Sequence, residues 1–382
     1  MLQSLALVIV LGLTACAGSS EKHLFSASQI VPNQISTTID SHGWLWRLLT
    51  DDQHVYVDHS EDRGKSYSQA VVVNAQAQKI RGNNEDRPHI AVNAKGVVYV
   101  TYAADDYRPW TAFFSSSIDG LVFSKPVPVS DQAKNAQHGL VNLAVNKEGV
   151  AVLFWHDNRE HGTDASAAAL YWAKGQASGT VSAGQKIAES QCECCAIAMA
   201  TEPTGEIVLF TRQVYFGQIR DHGFVRQGLT GAWQSWRATN DGWNIEACPE
   251  QGPALSIDHT GRYHAAWFTQ GARRQGLFYA YSDEQGRKLS EPKAFGDAQQ
   301  LAGHPALAVM DNQIGMVWSE FDGNQTHIRF VLSKDQGLTW SAVKTLAHSS
   351  SEAGAASLKV SDAHMYVSWY TKAEGYRLIP AE

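Results

Sequence analysis

The feature that most constrains this chain is a turn that recurs with a nearly fixed step. A turn containing Gly, Asn or Asp opens a run of alternating apolar residues, and an aromatic often sits six places on. The runs follow Gly43, Gly96, Gly149, Gly205, Gly261, Asn312 and Ala363, in steps of 53, 53, 56, 56, 51 and 51 residues. Apolar residues at period two, bounded by turn formers, predict antiparallel strands. A period near 50 predicts radial repetition of one supersecondary unit that buries its faces against its neighbours. The expected fold class is therefore all-β: a β-propeller of four-stranded blades, seven by this count, with six as the alternative.

Each unit reads as an alternating strand, the turn, the aromatic-rich run and two further strands. HIAVN (89–93), LAVN (143–146), ALSID (254–258) and ALAVM (306–310) are first strands, and no helical pattern follows residue 16. The last unit is short: SLKVS, MYVSWY and YRLIP bring the chain to Glu382. Open sheet edges invite aggregation, so the N-terminal stretch HLFSASQIV is expected to close the ring as the outer strand of that last blade. The resulting division is 1–15 as a signal peptide, 16–30 as tether and closing strand, and 31–382 as one propeller domain. A length of 382 residues ordinarily suggests two or three domains, but a repeat array forms one body of this size.

Leu5 to Leu13 is apolar but too short to span a bilayer. It runs into Leu13-Thr14-Ala15-Cys16, which resembles the bacterial lipoprotein box. The resemblance implies lipidation of Cys16. Met1 to Ser4 departs from the pattern by lacking Lys and Arg, and Ala17 in place of Asp implies the outer membrane. The expected setting is thus the cell envelope, anchored through lipid and facing the periplasm, as a monomer; two acyl chains suffice for a stable anchor. A net charge of −7, with Arg273-Arg274 as the one paired Arg, excludes nucleic acid as a partner.

Ser333-Lys334-Asp335-Gln336-Gly337-Leu338-Thr339-Trp340 matches the Asp-box S-x-D-x-G-x-T-W at every specified position. Ser60, Asp62 and Gly64 head a second copy with conservative swaps; copies at Ser117 and Ser282 are shortened or degenerate. Asp and Ser cap turn amides, Gly takes a positive φ, and the aromatic packs inward. The sequence resembles the sialidase and BNR-repeat (Asp-box) superfamily over essentially all of the mature chain. The box is a marker of fold at the blade periphery and says nothing of activity.

Active members of that superfamily use three Arg to grip a carboxylate, a Tyr nucleophile paired with Glu, and an Asp acid/base; Arg suits the grip because its planar fork binds a carboxylate at two points. The expected Arg-Ile-Pro triplet is absent, Arg47-Leu48-Leu49 being the nearest stretch, and Tyr366, Tyr370 and Tyr376 lack a nucleophile context. Catalytic residues are accordingly not assigned. A second series is more distinctive: Glu85-Asp86-Arg87-Pro88, Asp157-Asn158-Arg159, Arg220-Asp221, Trp243 with Cys248-Pro249, and His304-Pro305. It resembles a bacterial sialidase-like subset with D-x-R, C-x-C-C, R-D and C-P elements. Glu85, Arg87, Asp157, Arg159, Arg220, Asp221 and His304 are candidate ligand contacts, forming a charged cup for an anion or polyol. The competing reading is that the Arg–Asp pairs neutralise each other and tie neighbouring blades.

Besides Cys16, the thiols are Cys192, Cys194, Cys195 and Cys248. An oxidising compartment favours two disulfides, with a bond across to Cys248 as one arrangement. The crowded C-x-C-C spacing favours a soft-metal site for copper or zinc, with His304 as a further ligand. No cofactor is otherwise expected; no zincin pattern, phosphate loop or nucleophile elbow occurs. The leading expectation is a propeller that binds a glycan, peptide or envelope protein at its axial face. An exo-α-sialidase and a thiolate metal protein are the alternatives.

Overall fold

The computed structural model describes residues 24–25, 30, 32–82, 87–105, 110–130, 141–160, 167–228, 231–247 and 249–382. It is all-β, built from several antiparallel sheets, with one 3-10 turn, Ala298–Gln300, among the described residues. No helix there is long and apolar enough to cross a membrane.

The seven aromatic-rich runs are the second strands of successive antiparallel meanders: Leu45–Thr50, Val98–Asp105, Ala151–Asp157, Ile207–Tyr215, Tyr263–Gln270, Gln313–Phe321 and His364–Thr371. Their alternation proves incomplete for a physical reason. Leu45–Thr50 and Ala151–Asp157 are buried at every residue, because neighbouring sheets cover both faces. Trp155, Trp267, Trp318 and Trp369 occupy equivalent places in four of these strands and are all at most 1% exposed. Burying such large rings supplies much of the inter-sheet stabilisation.

The first strands of the meanders form an inner layer. Gln34–Ile39 packs against His89–Val92, and at the far end of the chain against Ser357–Ser361. Side-chain links tie the first sheet to the last. Thr37 and Ser368 share a hydroxyl–hydroxyl bond of 2.9 Å, Tyr370 donates its hydroxyl to the Pro32 carbonyl, and Arg63 pairs with Asp362.

The expectation for the N-terminal strand is corrected. Leu24 and Phe25 pair antiparallel with Val71 and Ala70, on the outer edge of the first sheet rather than the last. The final sheet has three strands among the described residues, Ser357–Ser361, His364–Thr371 and Gly375–Pro380. The outer strand of the first sheet, Ala70–Val72, is only three residues long. Its outer edge is covered by Leu24–Phe25, so backbone groups there gain partners from the preceding chain.

The box turns each follow a third strand. Ser60 Oγ accepts from the amide of Gly64 at 2.7 Å, and Asp62 accepts from Ser66 backbone and hydroxyl. Ser333 and Asp335 repeat the arrangement with Gly337 (2.8 Å) and Thr339. Gly337 sits at φ +87°, where only Gly is unstrained. Trp340 packs edge-on to Tyr279 and Phe295 of the neighbouring sheet.

Candidate functional site

A cavity of about 500 Å³ opens where the inner strands of the first, second and last sheets approach one another. Its wall includes Ser36, Arg81, Arg87, His89, Lys359 and Tyr370.

Among the described residues four cations and two carboxylates line the space: Arg81, Arg87, Lys359 and Lys372 against Asp51 and Glu352. Arg81 is held by Asp105 in a two-point bond of 2.9 and 2.5 Å, and Lys372 faces Glu352 at 3.8 Å. Asp51 is spent on the amides of Gln53 and His54 and the hydroxyl of Tyr56. Arg87 donates Nη1 to the Ala355 carbonyl at 2.8 Å, spanning from the second sheet to the last. No salt bridge joins Lys359 to a carboxylate among the described residues. Burial, and then the Arg87 charge, depress its pKa to about 8. Burial, Arg87 and Lys359 together push His89 down to about 4, so its imidazole is neutral at pH 7.

Of the residues expected to form a charged cup, Arg87 is the one that lines this cavity. Glu85 lies outside the described residues, as do Cys16 and Cys248. Asp157 and Arg159 bind each other: Asp157 is fully buried, and its Oδ2 accepts from Arg159 Nη2 at 2.6 Å and from the Trp155 indole at 3.1 Å. Arg159 also lies over the Tyr171 ring. Asp221 pairs with Arg237 and accepts from the Gly242 amide. His304 lies beside Gln251, whose Oε1 accepts from the His304 amide. Arg220 reaches the Ile245 carbonyl and the Cys192 sulfur.

The Asp157 arrangement recurs. Asp241 accepts from the Trp267 indole (2.8 Å) and from Arg274 (2.6 Å), and Glu320 accepts from the Trp318 indole (2.8 Å) and Arg329 (2.7 Å). A carboxylate thus satisfies a buried indole N–H and an Arg at once, within one sheet at Asp157 and Glu320 and between successive meanders at Asp241. Its sequence signal, Trp-x-Asp or Trp-x-Glu, stands at 155–157 and 318–320. Lys359 and His89 carried no such signal, because each is one polar residue in an ordinary alternating strand.

Tyr370 and Glu352 both line the cavity, but the Tyr370 hydroxyl is donated to the Pro32 carbonyl. Among the described residues the hydrogen-bonded Tyr–Glu pairs are Tyr171–Glu160 and Tyr263–Glu202, and neither lines the cavity. Tyr376 does line it, but its hydroxyl lies beside Ser368 and Thr37, and burial raises its pKa. Arg47 is consumed by Asp58 at 2.8 and 2.6 Å and stacks on Tyr67.

The cysteines form a separate site. Cys192 and Cys195 are joined by a disulfide, so the bond that Cys195 makes is local rather than across to the next meander. Cys194, half-buried, is likewise disulfide-bonded, with its sulfur 3.8 Å from that of Cys192. The sulfur atoms of Cys192, Cys194 and Cys195 all lie within 4.8 Å of one another, and His304 is not part of that group.

No protein-family model matches the sequence, and no curated protein matches it. Solved structures do resemble the fold. The polysaccharide lyase Uly1 aligns with a TM-score of 0.57 over 91% of this chain and 90% of its own, at 9% identity. A protein of unknown function from Dyadobacter fermentans DSM 18053 aligns at 0.51 over 79% and 95%, with 11% identity. The sialidase of Trypanosoma rangeli, solved with sialic acid, aligns at 0.48 over 82% and 57%, also at 11%. Identities this low speak for architecture and leave the chemistry to the site itself. The chain has a propeller-like all-β fold, similar in architecture to these structures.

Proposed function

We propose that this protein is a lipid-anchored, seven-bladed sialidase-like propeller of the bacterial envelope that binds an anionic glycan in its inner cavity. The observation that carries the reading is the approach of Arg87 and Lys359, from opposite ends of the chain, to one cavity of about 500 Å³. A cavity of that size suits a saccharide-sized ligand. Lys359 keeps its charge at pH 7 with no carboxylate salt-bridged to it among the described residues, and an incoming anion would supply the missing partner. His89, neutral, offers a hydrogen bond alongside. The seven meanders, and the links from Thr37 to Ser368 and from Arg63 to Asp362, favour a closed ring of seven. The anchor rests on Leu13-Thr14-Ala15-Cys16.

Binding without hydrolysis is favoured over sialidase action, since among the described residues both hydrogen-bonded Tyr–Glu pairs stand away from the cavity and the Tyr370 hydroxyl in its wall is donated to the Pro32 carbonyl. The test is a screen of residues 17–382 against paired anionic and neutral glycans, followed by calorimetry. Anionic glycans are expected to bind and to lose at least about tenfold in affinity on Lys359→Gln, the cost of one charge-assisted contact. A screen with no glycan bound, or affinity indifferent to Lys359→Gln, defeats the reading. Turnover of a sialoside would restore the hydrolase alternative.

A further inference from the structure

The sulfur cluster stands apart from the cavity and is not used by the function above. Cys192 and Cys195 are 0% and 1% exposed, and Cys194 is half-buried. Against them lies Arg220, 5% exposed. Its Nη1 donates to Cys192 Sγ at 3.1 Å and its Nε to the Ile245 carbonyl at 3.1 Å. No carboxylate forms a salt bridge with it among the described residues; Glu193 acts on it only at longer range.

This pairing is informative. A disulfide sulfur is a weak acceptor, and a buried guanidinium gains little from it. A thiolate sulfur is an anion, and the same contact becomes a charge-assisted bond. Arg220 is therefore placed to suit the reduced cluster better than the oxidised one. Three thiolates within 4.8 Å of one another cannot remain charged together in a buried site unless a cation joins them. One guanidinium offsets part of that charge, and a thiophilic cation offsets the rest.

We infer that Cys192, Cys194 and Cys195 form a redox-gated thiolate site that, once reduced, binds one d10 cation, Zn²⁺ or Cu⁺, with Arg220 compensating charge beside it. The gate is the disulfide. A dithiol reductant breaks the Cys192–Cys195 bond, passing two electrons and two protons to its sulfurs and leaving as its own cyclic disulfide. The disulfide of Cys194 is reduced in the same way by a second equivalent. Metal binding then displaces the thiol protons to solvent. Thiolate ligands select these cations over hard ones such as Mg²⁺ or Ca²⁺. Half-buried Cys194 gives the point of entry.

The experiment uses residues 17–382, oxidised or reduced anaerobically with dithiothreitol that is then removed. Each form is titrated with Zn²⁺ and, separately, Cu⁺ against a competing chelator. One equivalent is expected on the reduced chain and none on the oxidised chain. Cys195→Ser is expected to weaken binding at least about 100-fold, and Arg220→Gln about tenfold with the stoichiometry kept, as for groups that tune a metal site from beside it. Reduced wild-type chain that binds neither cation overturns the proposal, as does affinity unchanged in Cys192→Ser and Cys195→Ser. Because those variants can misfold, Co²⁺ is added to reduced wild-type chain. A thiolate-to-cobalt charge-transfer band supports the site, and its absence overturns it.

Discussion

Trp155 and Arg159 meet on a single atom, Asp157 Oδ2, at 3.1 and 2.6 Å. The carboxylate is fully buried, so both donors are satisfied without water. Asp157→Ala removes the acceptor that the buried Trp155 indole N–H shares with the part-buried Arg159 guanidinium. Removing one partner of a buried pair typically costs about 3–5 kcal/mol. Denaturant unfolding is expected to show a loss of that size, with ligand affinity at the cavity unchanged in the surviving folded fraction. A variant of native stability that no longer binds ligand would put Asp157 and Arg159 back in the binding site.

Ser333 gives a smaller effect at a fixed place. Its hydroxyl accepts from the Gly337 amide at 2.8 Å in a buried turn. Ser333→Ala is expected to cost about 1–3 kcal/mol, the usual range for an amide left unsatisfied. Hydrogen exchange should report the loss first in the turn 333–340. Uniform loss of protection across all sheets would show that the turn is not a local unit.

Acid should expose the box carboxylates. Hydrogen bonds from Ser66 hold Asp62 at about 2, and those from Thr339 hold Asp335 at about 2. Both lie below the ordinary value near 3.8, so the unfolded chain binds more protons there than the folded one. Their contribution is present above about pH 4 and is lost as the pH falls toward 2. An acid titration followed by circular dichroism should show this, and Asp335→Asn should make it shallower. An unchanged profile would mean that the turn bonds do not couple to global stability.

Alkali should act on the cavity instead. Lys359 titrates near 8, below its ordinary 10.5. Anion affinity is expected to be full at pH 6–7 and to fall about tenfold per unit above 8, as the ammonium is lost. Without ligand the sign reverses: the fold disfavours the charged form, so the free protein gains stability between about pH 8 and 10.5. Lys359→Gln should flatten both curves. Calorimetry at three pH values decides this, and a flat wild-type affinity refutes the role of Lys359.

The repeat was legible because a hairpin is local. Gly43, Gly96 and Gly149 sit one period apart, and each opens the strand that the spacing predicts. The cavity was not legible, because it is made by non-local packing: His89 and Lys359 come from opposite ends of the chain. The charged series was found by residue type, but type cannot tell a pair from a site. Asp157 and Arg159 are two residues apart and close on each other, whereas Arg87 reaches the last sheet at Ala355. The N-terminal strand was misplaced for a related reason. Alternation says that HLFSASQIV can pair, and only the geometry of free edges says with which strand.

The links between the first and last sheets, Thr37 to Ser368 and Tyr370 to Pro32, border the same cavity that holds Lys359. The molecule is thus buttoned at the place where it offers a berth. Any fluctuation that parts the two sheets dismantles that berth, and any occupant that bridges them resists the parting. By mass action an occupant at a hundred times its dissociation constant would add about 2.7 kcal/mol to the fastening. A guest at this spot works as a clasp, so that a filled protein should outlast an empty one against proteases.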